Sequence, residues 1–168
     1  MGISSILTAA QSGGFAKPSL YEVTPPSDSY VTVKQFLIKS ASLPAHTIGT
    51  IEIPYRGRKV KIPSNITHEP WQINVIYETS DTDIRANFQE WIDDIQSPKA
   101  DLENLSEWGE TWKVSLLDPV DHDVINDSEF TLHGCYPSEL GTVSLDTETT
   151  DSLAEFSVTL YYSYHTMH

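Results

Sequence analysis

The densest group of candidate ligands in the chain is Asp118, Asp121, His122 and Asp123, crowded into the stretch DPVDHDVIN from Asp118 to Asn126. Carboxylates and an imidazole at this density would suit a divalent cation. The spacing follows no EF-hand loop, however, because the glycine and the closing glutamate of that motif are absent, and no metal is expected. The remaining histidines, His46, His68, His133, His165 and His168, form no i, i+4 pair. Cys135 is the single cysteine, so an intrachain disulfide is impossible and a buried thiol is expected. There is no P-loop, GxGxxG, HExxH, GxSxG or CxxC. Carboxylates are abundant, but abundance is not a paired acid and base. The residues predict no enzyme and no cofactor.

A second group is cationic. Arg56, Arg58, Lys59 and Lys61 lie within six residues. Ile51 and Ile53 alternate with Thr50 and Glu52 before them, and Val60 and Ile62 alternate with Lys59 and Lys61 after the turn. This pattern predicts a projecting hairpin over residues 47–62 that turns at Tyr55-Arg56-Gly57-Arg58. One reading is a solvated tip whose charges discourage stray strand pairing. The other uses the charge of the whole chain. Of 168 residues, residues 1–80 carry seven Lys/Arg and five Asp/Glu, a net of +2. Residues 81–168 carry three and nineteen, a net of −16, for a total of −14. A basic tip on one copy would then meet an acidic surface on another, with Asp118, Asp121 and Asp123 among its charges. Such a head-to-tail contact does not close and propagates a filament. The acidity argues against conventional nucleic-acid binding, though solubility alone would also account for it.

The element best placed to organise these groups is an amphipathic helix over residues 81–96. Ile84, Phe88, Trp91, Ile92 and Ile95 recur at i, i+4, i+7, i+8 and i+11 and form one apolar stripe, a core-packing face. Ser80, Asp81 and Thr82 are candidate N-caps, and Ser97-Pro98 ends the helix. Strands are expected near residues 20–23, 30–39, 71–78, 112–117 and 128–133. Gly134 to Gly141 reads as a turn-rich corner. Leu153 to Tyr164 has the strongest alternation, with Phe156, Val158, Leu160, Tyr162 and Tyr164 on one face. A strand of that length is expected to need partners on both sides, so Val158, Leu160 and Tyr162 are candidates for joining copies into a ring. The fold class expected is α+β: a single domain over 1–168, mainly an antiparallel β-sandwich or barrel, with one amphipathic helix packed on it. Residues 1–19 form an N-terminal arm with Ile3, Ile6, Leu7 and Ala10 at helical spacing. No run is long enough to span a bilayer and nothing reads as a signal peptide, so a soluble protein made in a cytoplasm is expected.

Several stretches in order along the chain resemble the tail tube proteins of contractile-tailed bacteriophages, which share a fold with the tube proteins of type VI secretion systems and R-type pyocins. Ser12-Gly13-Gly14-Phe15-Ala16-Lys17-Pro18-Ser19-Leu20-Tyr21 is similar to the family's opening SG-FARPN-F. Leu43-Pro44-Ala45 stands where the family has LPA, Arg58-Lys59 lies on the expected hairpin, and Trp71-Gln72-Ile73-Asn74-Val75 resembles its W-V-V strand. Arg85, Phe88 and Trp91 repeat R--F--W of its helix. Gly134, Pro137, Gly141, Leu145 and Asp146 resemble its G-YP--VG---LD corner, and Phe156-Ser157-Val158-Thr159-Leu160 its closing F-VTL. The terminal DYW of the family is here Ser163-Tyr164-His165, and the acidic loop 98–112 has no counterpart in the pattern.

The resemblance implies hexameric rings in which six sheets join into a continuous β-barrel tube, with the helix outside. It implies rings stacked head to tail, a sheath protein around them, baseplate and tape-measure proteins as further partners, and a place in the virion tail after synthesis in the host bacterial cytoplasm. Viral DNA would pass down the lumen without specific binding, past an acidic wall that offers its phosphates no cations. A tube-initiating or terminating baseplate protein of the same fold is the near alternative. A secreted β-rich binding module, stacking a sugar on exposed Trp71, Trp108 and Trp112, is the distant one.

Overall fold

In the computed structural model the described residues are 3–11, 14–26, 31, 33–78, 83–97, 108–148 and 150–168. They form a helix α1 (Ile3–Gln11), a strand β1 (Tyr21–Thr24), a short 3-10 turn (Gln35–Leu37), β2 (Ile38–Ala41), β3 (His46–Tyr55), β4 (Arg58–His68), β5 (Trp71–Ile76), the helix α2 (Ile84–Gln96), β6 (Glu110–Leu116), β7 (Phe130–Leu140), β8 (Glu155–Tyr161) and β9 (Tyr164–Met167). Every strand pairing is antiparallel. One sheet runs β1-β6-β7-β8-β5-β2, with β9 beside β7, while β3 and β4 form a separate two-stranded sheet.

The larger sheet is folded over on itself, and β7 is where it turns. Residues 130–132 pair with β6 and 130–133 with β9, and, past Cys135, which still stands opposite Glu110 of β6, residues 136–140 pair with β8. Between these halves stands Gly134 with φ +66°, a backbone state that glycine takes without the Cβ penalty. A register shift between Pro137 and Glu139 bends the strand again. The stretch expected as a turn-rich corner is therefore a corner made inside one continuous strand, since glycine and proline in a strand also mark bends and bulges. The fold brings Trp71 of β5 edge-on to Trp112 of β6, with ring centroids 5.8 Å apart, though two strands separate them in the sheet. The outermost strands also meet: Tyr21 Oη of β1 donates to the Ile38 carbonyl of β2 at 2.9 Å. The result is a curled, barrel-like sandwich with one core.

That core holds Val23, Ile73, Val75, Trp71, Trp112, Val114, Leu132, Phe156, Val158 and Leu160. Helix α2 closes it from outside. Phe88 stacks on Trp91 (6.3 Å, 23°) and meets Phe156 edge-on at 6.4 Å. Ile84, Phe88 and Trp91 are buried, and Ile92 and Ile95 are half-buried at the stripe's margin. The cap is Asp83, whose side chain accepts from the Ala86 amide at 3.3 Å. The helix therefore starts at Ile84 and not at Asp81. Ser80, Asp81 and Thr82 lie outside the described residues. So do 98–107 of the acidic loop, with Leu102 and Leu105, and Tyr30 and Thr32 of the strand expected over 30–39. Within that last stretch Gln35–Leu37 is a 3-10 turn and the strand begins only at Ile38. Val31 and Val33 are buried in the core.

Two expectations about the closing strand are corrected. It breaks after Tyr161 and resumes at Tyr164, so Tyr164 is half exposed while Phe156, Val158, Leu160 and Tyr162 are buried. It also finds both neighbours inside its own chain, β7 on one side and β5 on the other. Val158 and Leu160 are core residues, and the reasoning that made them ring-joining residues for want of partners does not hold.

Gly141, just beyond β7, lies tight against β8. A Cβ there would stand 2.9 Å from the Ser157 carbonyl and closer still to its Oγ, and the Gly141 amide already donates to that carbonyl at 2.7 Å. Because the obstacle includes backbone, Gly141→Ala should destabilise by about 1–3 kcal/mol, the usual range for overpacking. Chemical denaturation measures it; an unchanged midpoint would mean that β7 and β8 separate there at little cost.

Candidate assembly surfaces

The β3–β4 hairpin is exposed along nearly its whole length. Its register, Ile51↔Ile62, Glu52↔Lys61, Ile53↔Val60, Pro54↔Lys59 and Tyr55↔Arg58, puts Ile51, Ile53, Tyr55, Val60 and Ile62 on one face, each 42–60% exposed. The turn is Arg56-Gly57, with φ of +47° and +75°, the sign pattern of a type I′ turn, whose twist suits a tight hairpin. The strands run from His46 to His68, longer than the 47–62 expected. At about 3.4 Å per residue the hairpin extends roughly 30 Å. A lone two-stranded hairpin is marginally stable in water, and this one carries an uncovered apolar face.

Its charges are partly satisfied within it. Lys59 and Lys61 flank Glu52 at 3.1 and 3.9 Å, and the Arg56 guanidinium lies 5.3 Å from the Tyr55 ring centroid. Arg58 shares the apolar face. The tip is thus less a bare cationic cluster than an apolar strip edged with charge. On the acidic side, Asp118 Oδ1 accepts from the Val120 and Asp121 amides at 2.7 and 3.3 Å, which organises the turn between β6 and β7. Asp121 and Asp123 are exposed. Among the described residues no group of three or more His, Cys, Asp or Glu is placed to hold a metal ion. The Asp118 stretch is explained by turn chemistry.

The rest of the uncovered apolar surface is dispersed. Helix α1 exposes Ile3, Ile6 and Leu7, and Phe15 of the arm is exposed too. Trp71 and Trp112 are fully buried and Trp108 is half-buried, so the aromatic platform expected of a sugar-binding module is absent and that reading is withdrawn. Cys135 is buried, its Sγ donates to the Leu132 carbonyl at 3.5 Å, and burial above all pushes its thiol up to about 12; it is not a nucleophile.

One grouping was invisible in the sequence. His46 and His68, the first pair of the hairpin, meet His165 of β9, with ring centroids 5.2 Å (His46–His165), 5.3 Å (His68–His165) and 6.3 Å (His46–His68) apart. The two ends of one hairpin and a strand about a hundred residues further on supply the rings, and helical spacing rules are blind to such a contact.

A closed β body with an uncovered apolar arm has the geometry of a subunit made to join other chains. The chain belongs to the phage tail tube protein family, whose model matches residues 10–168. It is 27% identical over 169 residues to tail tube protein gp19 of Enterobacteria phage T4, covering 98% of this chain and 99% of that one. In fold it is similar to the tube-terminating cap of the anti-feeding prophage (TM-score 0.69, 19% identity, 92% of this chain and 91% of that chain). It is also similar to a chain of the sheath-tube complex of the extracellular contractile injection system PVC in its extended state (TM-score 0.66, 16% identity, 100% and 98%).

Proposed function

We propose that the chain is the repeating subunit of a tail tube. Six copies join their sheets into a ring around a channel, and rings stack head to tail through the β3–β4 hairpin. The observation that carries this is the hairpin itself: a long arm outside the core sheet, with Ile51, Ile53, Tyr55, Val60 and Ile62 in water on one face. Apolar surface of this kind is stabilised when a second surface covers it. Arg58 on the same face, and exposed Asp121 and Asp123 in the turn between β6 and β7, supply opposite charges that would set register more than affinity.

In this reading the tube sits in the virion tail inside a sheath, on a baseplate, with a tape-measure protein in the growing lumen, and it passes viral DNA to the host. A chain of net charge −14 presents phosphates with little to bind. A tube-ending protein would share the fold. The full-length likeness to a tail tube protein favours the repeating subunit.

Negative-stain imaging of the purified protein separates the two. Long tubes of stacked six-fold rings are expected. Single rings that never stack would make it a tube end, and monomers at every concentration would overturn both.

A further inference from the structure

We propose that His165, packed against the rings of His46 and His68, forms a proton-sensitive lock at the base of the hairpin, closed near pH 7.5 and opened when His165 takes a proton in mildly acid solution. The place matters first. His46 and His68 are the pair at which β3 and β4 leave the body, and His165 belongs to β9, paired with Leu132 of β7. The three rings are therefore the aromatic contact that ties hairpin to core. Tyr162 completes it: its ring lies 5.3 Å from His68 and 6.0 Å from His165, and its hydroxyl donates to the Ala45 carbonyl at 3.1 Å. That carbonyl also accepts from the Glu69 amide at 2.9 Å. Phe130 of β7 backs His165 at 5.9 Å.

The surroundings disfavour charge on His165. His165 and His68 are half-buried, and Nδ1 of each is buried without a hydrogen-bond partner. No ion pair to any of the three occurs among the described residues. The groups facing them are Tyr162, Phe130 and the neighbouring rings. Glu69, next in sequence to His68, is the carboxylate beside them, and its charge acts on Tyr162, whose hydroxyl pKa is raised first by burial, then by Cys135 and then by Glu69. His133 and His168 lie along the same edge, each within 3.3 Å of Thr166 Oγ1, and His133 also stacks on Tyr164. Burial holds the His165 imidazole below its ordinary 6.5, and the nearby His68 and His46 add to the effect.

The sign follows. A histidine whose folded-state pKa is depressed binds protons more weakly when folded, so it destabilises nothing above 6.5. As pH falls below that value the unfolded or opened form takes protons first, and the lock weakens. Because the rings sit where the hairpin hinges, local opening of the hairpin is the response expected, ahead of the core. This rests on the stacking role of the hairpin only for its consequence, the loosening of tubes in acid. The lock itself is a property of the single chain.

Hydrogen exchange of the unassembled protein, in buffer with EDTA, tests it directly. Between pH 7.5 and 5.0 the protection factors of residues 46–68 should fall about tenfold or more, the effect of about one pH unit's difference in the proton affinity of His165 between the closed and opened forms. Protection of β5, β6 and β8 should hold. His165→Gln, which cannot charge, should flatten the hairpin's pH response, and if it folds poorly the wild-type profile still decides. A hairpin whose protection does not change with pH, or that changes only in step with the core, overturns the lock. The result is independent of whether tubes form.

Discussion

Replacing Ile51, Ile53, Val60 and Ile62 together by threonine should leave a folded subunit that no longer grows tubes at ordinary concentrations. Threonine keeps the β-branched shape that strands favour, so the hairpin persists while its apolar face is lost. All four side chains are exposed in the single chain, which predicts almost no cost to its own stability. The cost falls on the contact that covers them. Losing roughly 1 kcal/mol at each position would raise the critical concentration for assembly about a thousandfold, at ~1.4 kcal/mol per decade. Sedimentation of polymer against total protein measures it. Reversing the charges of Arg58, Lys59 and Lys61 to Glu should act more weakly and fade with salt. Lys59 and Lys61 already face Glu52 within the hairpin, and exposed ion pairs contribute only about 0–1 kcal/mol each. A larger effect from the charge variant than from the threonine variant would mean that stacking is chiefly electrostatic.

Trp91→Ala should be the most damaging single truncation in α2. Trp91 is fully buried, stacked on Phe88, and its Nε1 donates to the Trp108 carbonyl at 3.0 Å. Removing it opens a cavity between helix and sheet and frees the segment that holds Trp108 against Tyr136, where the rings meet edge-on at 5.1 Å. The expected loss is about 3–5 kcal/mol in urea unfolding, the range for large aromatic truncation in a core. A loss under about 1 kcal/mol would mean that α2 is only loosely docked. Ile95→Ala, at the half-buried margin, should cost distinctly less.

The helix was readable because its stripe is local: Ile84, Phe88 and Trp91 are one turn apart, and one face decides their fate. The hairpin was readable for the same reason, since Ile51/Ile53 and Val60/Ile62 alternate on either side of Arg56-Gly57. What sequence did not disclose was cross-strand. Glu52 stands across from Lys61 in the ladder, so the tip looked more cationic than it is. The alternation in β8 located its buried face but said nothing of its edges, which β7 and β5 already occupy. Gly134 and Pro137 looked like a turn because the residues that end strands also bend them. His46, His68 and His165 looked scattered because only the register and the path of β9 bring them together.

In the proposed tube the hairpin's apolar face is covered by a second copy of the chain. Cysteine scanning reads this cleanly, because the native Cys135 is buried and its thiol is unreactive. With the Ile53→Cys variant, maleimide should label the unassembled subunit rapidly and the assembled tube slowly, by a factor of about a hundred, since a covered side chain reacts only through rare opening of the contact. Equal labelling of that variant inside and outside tubes would contradict the account, since the face would then be exposed in both.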